Sequence, residues 1–213
     1  MSKGPAASAS PRSHSIDTPH GPARAHLYRP EGAPAGGLVL GHGAGGGIEA
    51  ADLQAVTAAA TERGWSVALV EQPYRVAGRR APAPARQLDA AWRAVLVDLS
   101  EGPMAGLPVV TGGRSSGARV ACRCSGDGVA RAVLCLAFPL LPPGKEESKS
   151  RLPELDGVAV PALVVQGRSD RFGMPPEAPG RKVVTLAGTH ALASDLDGLS
   201  SAVGQWLAQL LTG

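Results

Sequence analysis

Aromatic residues make up only 3% of the 213-residue chain, with two Phe, two Tyr and three Trp. A core built from this sequence is therefore mostly aliphatic. A surface that stacks bases on aromatic rings is also a poor reading, because the basic residues are scattered and the formal charge is only +3. Nucleic acid is excluded as the expected partner. Cysteine is scarce and odd in number: Cys122, Cys124 and Cys135 lack metal-ligand spacing. Cys122 and Cys124 stand two apart in a predicted helix and do not face each other, so all three read as reduced thiols packed as small apolar residues.

Long apolar runs are missing as well. The first residues, MSKGPAASASPRSHS, hold no apolar stretch of the secretory kind, and no run approaches the length that spans a bilayer. The expectation is a cytoplasmic protein without a membrane partner. It has a disordered Ser/Ala/Pro-rich tail over residues 1–14 and one domain over 15–213.

What is present is a repeating alternation. SIDTPHGPARAHLYRP reads as two short strands around a Pro19-His20-Gly21-Pro22 turn. Short continuous apolar runs follow at Leu38–Leu40, Val67–Val70, Val109–Val110, Ala132–Ala137, Leu163–Val165 and Val183–Leu186. Continuous runs suit strands buried on both faces of a parallel sheet. Between them lie helical stripes. Leu88, Trp92, Val95, Leu96 and Leu99 share one face, Leu53, Val56 and Ala60 another, and Leu199, Val203, Trp206, Leu207 and Leu210 a third. Strands alternating with helices predict an α/β fold with a mostly parallel central sheet.

Ligands bind at the carboxyl ends of such strands, and four chemically suggestive segments fall there. GHGAGGG follows the first run, TGGRSSGARVA spans the end of the third, QGRSD follows the fifth and AGTH the sixth. Gly113-Arg114-Ser115-Ser116-Gly117 fits G-x-S-x-G, in which a serine sits on a sharp strand-to-helix turn. The order Ser115, Asp170, His190 is that of a nucleophile, an orienting acid and a general base in this architecture. Backbone N–H groups of Ser116 and Ala44 are the candidate oxyanion donors. Alone, Ser115 could equally cap the following helix, and His190 could be a surface histidine. Their shared placement at strand ends favours the triad. Asp195 and Asp197 read as caps of the last helix, and His42 as a structural hydrogen-bonding residue.

The segments HGAGGG, EQPYRVAGRR, TGGRSSGARVA, LAFPLLPPGK, QGRSDRFG and GTHAL together resemble a small α/β-hydrolase-like family. That family includes the hydrolase-like domain of an NSL chromatin-complex subunit, testis-expressed relatives and many bacterial members. The chain is more distantly similar to dienelactone hydrolases. The resemblance runs from about residue 20 to the C-terminus, implies an α/β-hydrolase fold and nominates Ser115, Asp170 and His190 as its triad. Relatives often carry a histidine where this chain has Leu141.

The expected activity is that of a serine hydrolase acting through an acyl-enzyme on a small ester-like substrate, with no cofactor or metal. Some relatives are regarded as binding modules, so a catalytically silent interaction module is the alternative. Only FPLLPPGKEESKSRLPELDGVAV separates the fourth run from the fifth, so no large cap domain and an open site are expected. Its lining is expected from His42, Tyr74, Arg114, Phe138, Leu140, Leu141 and Phe172. Arg79 and Arg80 read as a solvated pair in preference to an anion site.

Overall fold

The computed structural model describes residues 11–212. Eight strands run in chain order as β1 (Arg12–Ile16), β2 (Ala23–Tyr28), β3 (Gly36–Gly41), β4 (Trp65–Glu71), β5 (Val109–Arg114), β6 (Ala130–Leu136), β7 (Ala162–Gly167) and β8 (Arg181–Leu186). They form one sheet in the order β1-β2-β4-β3-β5-β6-β7-β8. β1, β2 and β4 pair antiparallel, and every other neighbouring pair is parallel. The described residues also form six α-helices, the last of them after β8: α1 (Ala51–Glu62), α2 (Pro73–Val76), α3 (Ala85–Glu101), α4 (Ser116–Arg123), α5 (Leu152–Asp156) and α6 (Leu196–Leu210).

The buried strands are apolar on both faces because helices cover both. Leu38 and Leu40 of β3 join Leu53 and Val56 of α1 and Leu199, Val203 and Leu207 of α6 on one face. Val39, between them, turns to the other face and meets Trp92, Val95 and Leu99 of α3. Farther along that second face, Ala118, Ala121 and Cys122 of α4 pack on Val133 and Cys135 of β6. The thiols are free and buried, as read from the sequence. Cys122 and Cys135 place their sulfurs 3.4 Å apart, a contact that chain spacing does not reveal.

The last helix begins where its cap predicts, the Asp195 carboxylate accepting from Gly198 N at 2.9 Å. The expected tail needs correction. Residues 1–10 lie outside the described part, but Arg12–Ile16 form an edge strand paired with Leu27–Ala23. Ile16 is the one fully buried residue of that strand, so the pairing rests on backbone bonds that no hydrophobic alternation announces. Between β6 and β7 the chain makes only a short 3-10 turn and the five-residue α5, so no large cap covers the carboxyl end of the sheet. Among the described residues, no helix is long and apolar enough to cross a membrane.

Candidate active site

The site is built where β5 stops. Ser115 follows the strand with φ 53° and ψ −107°, a conformation side chains disfavour. Two constraints hold it there. Its N–H donates to Leu136 O at 2.9 Å, and its carbonyl accepts from Arg119 N, the first turn of α4. Such a tight turn needs bare backbone around it. A Cβ at Gly113 or at Gly117 would stand 2.4 Å from the carbonyl oxygen of Gly41, the last residue of β3. The glycines of G-x-S-x-G are therefore spacers that let β3, β5 and α4 meet.

The turn presents the Ser115 hydroxyl to His190. The Nε2 atom of His190 lies 2.9 Å from Ser115 Oγ, and Nδ1 lies 2.8 Å from Asp170 Oδ2. With the proton on Nδ1 facing the carboxylate, the Nε2 lone pair is left to accept from the hydroxyl. Asp170 is held in turn: Gln166 Nε2 donates to Oδ2 at 2.8 Å and Phe172 N donates to Oδ1 at 2.9 Å. Gln166, wholly buried at the end of β7, also donates to Phe138 O and Gly173 O. It is a site residue that sequence reading missed. Its only signal was a lone amide at the end of an apolar strand.

The glycine loop after β3 is organised by His42. This imidazole is buried, donates from Nδ1 to Gly43 O at 2.8 Å, and accepts at Nε2 from Gln72 N at 3.2 Å. Burial pushes its pKa below the usual 6.5, with the nearby Arg75 charge acting in the same direction, so it stays neutral. The Tyr74 hydroxyl donates to Ala44 O at 3.1 Å and fixes the next peptide. Ser116 opens α4, so its N–H has no acceptor one turn back in the helix.

The structure redistributes the expected pocket residues. His42 and Tyr74 border a cavity of only about 10 Å³ behind Ser116, space for at most one water. Both are buried and support the loop. Phe138 is completely buried among Ala118, Ala121 and Leu155, which makes it core. Phe172 does reach the site, its ring centroid 4.4 Å from that of His190. Leu141 is tied to it through Leu141 N donating to Phe172 O at 2.8 Å. Arg114 is engaged by Asp52 and by the carbonyl of His190. Arg79 and Arg80 are exposed.

The fold has many solved counterparts. Est1E from Butyrivibrio proteoclasticus superposes with a TM-score of 0.75 at 17% identity, covering 94% of this chain and 99% of that one. An α/β serine hydrolase without a lid from Xanthomonas campestris gives 0.72 at 19% identity, covering 99% of each. A dienelactone hydrolase from Anabaena variabilis gives 0.69 at 17%, covering 96% and 98%. Among curated proteins, none matches the sequence. Residues 34–195 match the family described as "Alpha/beta hydrolase domain". The chain belongs to that alpha/beta hydrolase family.

Proposed function

We propose that the protein is a serine hydrolase that forms an acyl-enzyme at Ser115. The observation that carries this reading is the hydrogen-bonded row Ser115 Oγ, His190, Asp170, with steps of 2.9 and 2.8 Å, mounted on a strained strand-to-helix turn. In it, His190 Nε2 takes the hydroxyl proton as Ser115 attacks the carbonyl carbon, and returns it to the leaving oxygen or sulfur. Asp170 keeps the imidazole in the productive tautomer and offsets its transient positive charge. Ser116 N and Ala44 N receive the oxyanion. Removing one such donor costs about 3 kcal/mol of transition-state stabilisation. Water, taking the serine's place with the same base, releases the acid.

The substrate class we assign is a small or exposed ester or thioester. The site has no cap above it, and Phe172 against His190 and Leu141 beside it offer a short apolar wall. Two similar structures point the same way by their own descriptions, Est1E with ferulic acid bound and the Xanthomonas hydrolase without a lid. On its quoted motifs, we also assign the chain to the branch with the NSL-complex and testis-expressed hydrolase-like proteins.

Labelling with a fluorophosphonate, mapped by mass spectrometry, tests the reading. The adduct is expected on Ser115 of the wild type, absent in Ser115→Ala, and lost in His190→Ala. Ester turnover is expected to fall roughly a millionfold with either change. Folded wild-type protein that fails to label at any pH between about 6 and 9 would overturn the proposal and leave a binding module.

A further inference from the structure

The residue just before the nucleophile reaches three parts of the site at once. Arg114 Nε stands 2.8 Å from Asp52 Oδ2, and Asp52 is wholly buried in the first turn of α1. The other Asp52 oxygen accepts from Leu53 N at 2.9 Å. Arg114 and Asp52 thus form a close ion pair, the buried carboxylate facing the guanidinium edge. From that anchor, Arg114 Nη2 donates to the main-chain oxygen of His190 at 3.2 Å. Its Nη1 occupies the space beside Gly43, where a Cβ would come within 2.9 Å of it.

Around His190, Ser169 N bonds to Gly188 O and Leu192 N to Thr189 O. These fix the peptides on either side. The bond from Arg114 fixes the carbonyl of His190 itself, and with it the main chain from which the ring projects. Resting on the hydrolase reading above, we infer that Arg114 is a positioning residue. Anchored by buried Asp52, it ties the loop carrying the proposed base to the strand carrying the nucleophile. A planar fork is needed for this, because one guanidinium serves Asp52 and His190 together. A lysine ammonium in ionic contact with Asp52 does not extend a second, rigid arm to the carbonyl.

That difference separates positioning from simple neutralisation of a buried carboxylate. Arg114→Lys keeps the charge beside Asp52 and drops the second arm. Arg114→Met with Asp52→Leu removes both charges in a packed form and drops the arm by another route. Two signals are read, the imidazole 1H–15N correlations of His190, assigned by their loss in His190→Gln, and the steady-state hydrolysis of p-nitrophenyl acetate. In both variants, with the thermal midpoint retained, the His190 correlations are expected to shift and broaden. The value of kcat is expected to fall roughly tenfold to a hundredfold while KM holds, as displacement of a reacting group by about an ångström does.

Either folded variant with wild-type His190 correlations and wild-type kcat overturns the inference. A wild-type protein that hydrolyses nothing sinks the hydrolase reading alone. The response of the His190 correlations then still decides the role of Arg114.

Discussion

The two ends of the sheet use glycine and the left-handed backbone in different ways. At the amino ends of the strands the chain turns through Gly64, Gly106, Gly128 and Gly180, all with φ between 75° and 85° and no atom within 4 Å of an added Cβ. Those glycines supply conformation and nothing else. At the carboxyl ends, residues with side chains bear the positive φ: Ser115 at 53°, Ala137 at 49° and Leu192 at 50°. Gly173 and Gly188 share that conformation there, whereas Gly113, Gly117 and Gly167 are jammed against backbone at 2.4 Å. One end is relaxed and replaceable. The other trades backbone comfort for close approach, which places a serine, a histidine and a carboxylate within hydrogen-bonding reach.

This contrast can be broken most severely at Gly117. A methyl group at 2.4 Å from Gly41 O and 2.6 Å from Gly41 C has only backbone to displace. Gly117→Ala is expected to cost about 3 kcal/mol, the upper range for overpacking, read as a lowered urea midpoint at unchanged slope. Gly64→Ala, where only φ objects, is expected to cost about 1 kcal/mol in the same titration. Equal losses would erase the distinction.

A sharper form of the comparison uses the strained serine itself. Ser115→Gly and Ser115→Ala both remove the hydroxyl, but only glycine relaxes φ 53°. The glycine variant is expected to be more stable than the alanine variant by about 1 kcal/mol, although glycine usually weakens a fold. A glycine variant less stable than its alanine counterpart would show that the turn stores no strain.

The smallest effect belongs to His42. Its folded pKa is below the ordinary 6.5, burial being the main cause, so the unfolded chain binds a proton more readily than the folded one. Stability from this group is whole above about pH 6.5 and is lost as the pH falls from there through the folded pKa. Urea midpoints of the wild type are expected to drop across that window relative to their own value near pH 7.5. In His42→Gln that component should be missing.

Much of this architecture was legible in the chain because of what burial demands. Six of the eight strands announced themselves as apolar runs, five of them because helices on both faces leave no polar side to alternate with, whereas β8 is half exposed at the sheet edge. The row Ser115, Asp170, His190 was legible because each stands just past such a run, and Asp195 because a helix start needs an acceptor. What stayed hidden depends on partners far off in the chain. The first residues of β1, Arg12–His14, are held by ladder bonds to β2, Gln166 by three acceptors around it, and Arg114 by Asp52, 62 positions earlier. Phe138 shows a different limit. An apolar residue past a strand end reads equally as pocket wall or core, and only packing decides, here in favour of core.

The order of the strands also bears on how the site comes apart. The strand that leads to Ser115, β5, lies in the interior of the sheet with a ladder on each side, whereas β8, which leads to His190, is an edge strand laddered to β7 alone. Fluctuations that open the sheet begin at such margins. A partial opening at β8 therefore separates His190 from Ser115 while the strained turn stays folded, so the hydrogen-bonded row breaks at the histidine first.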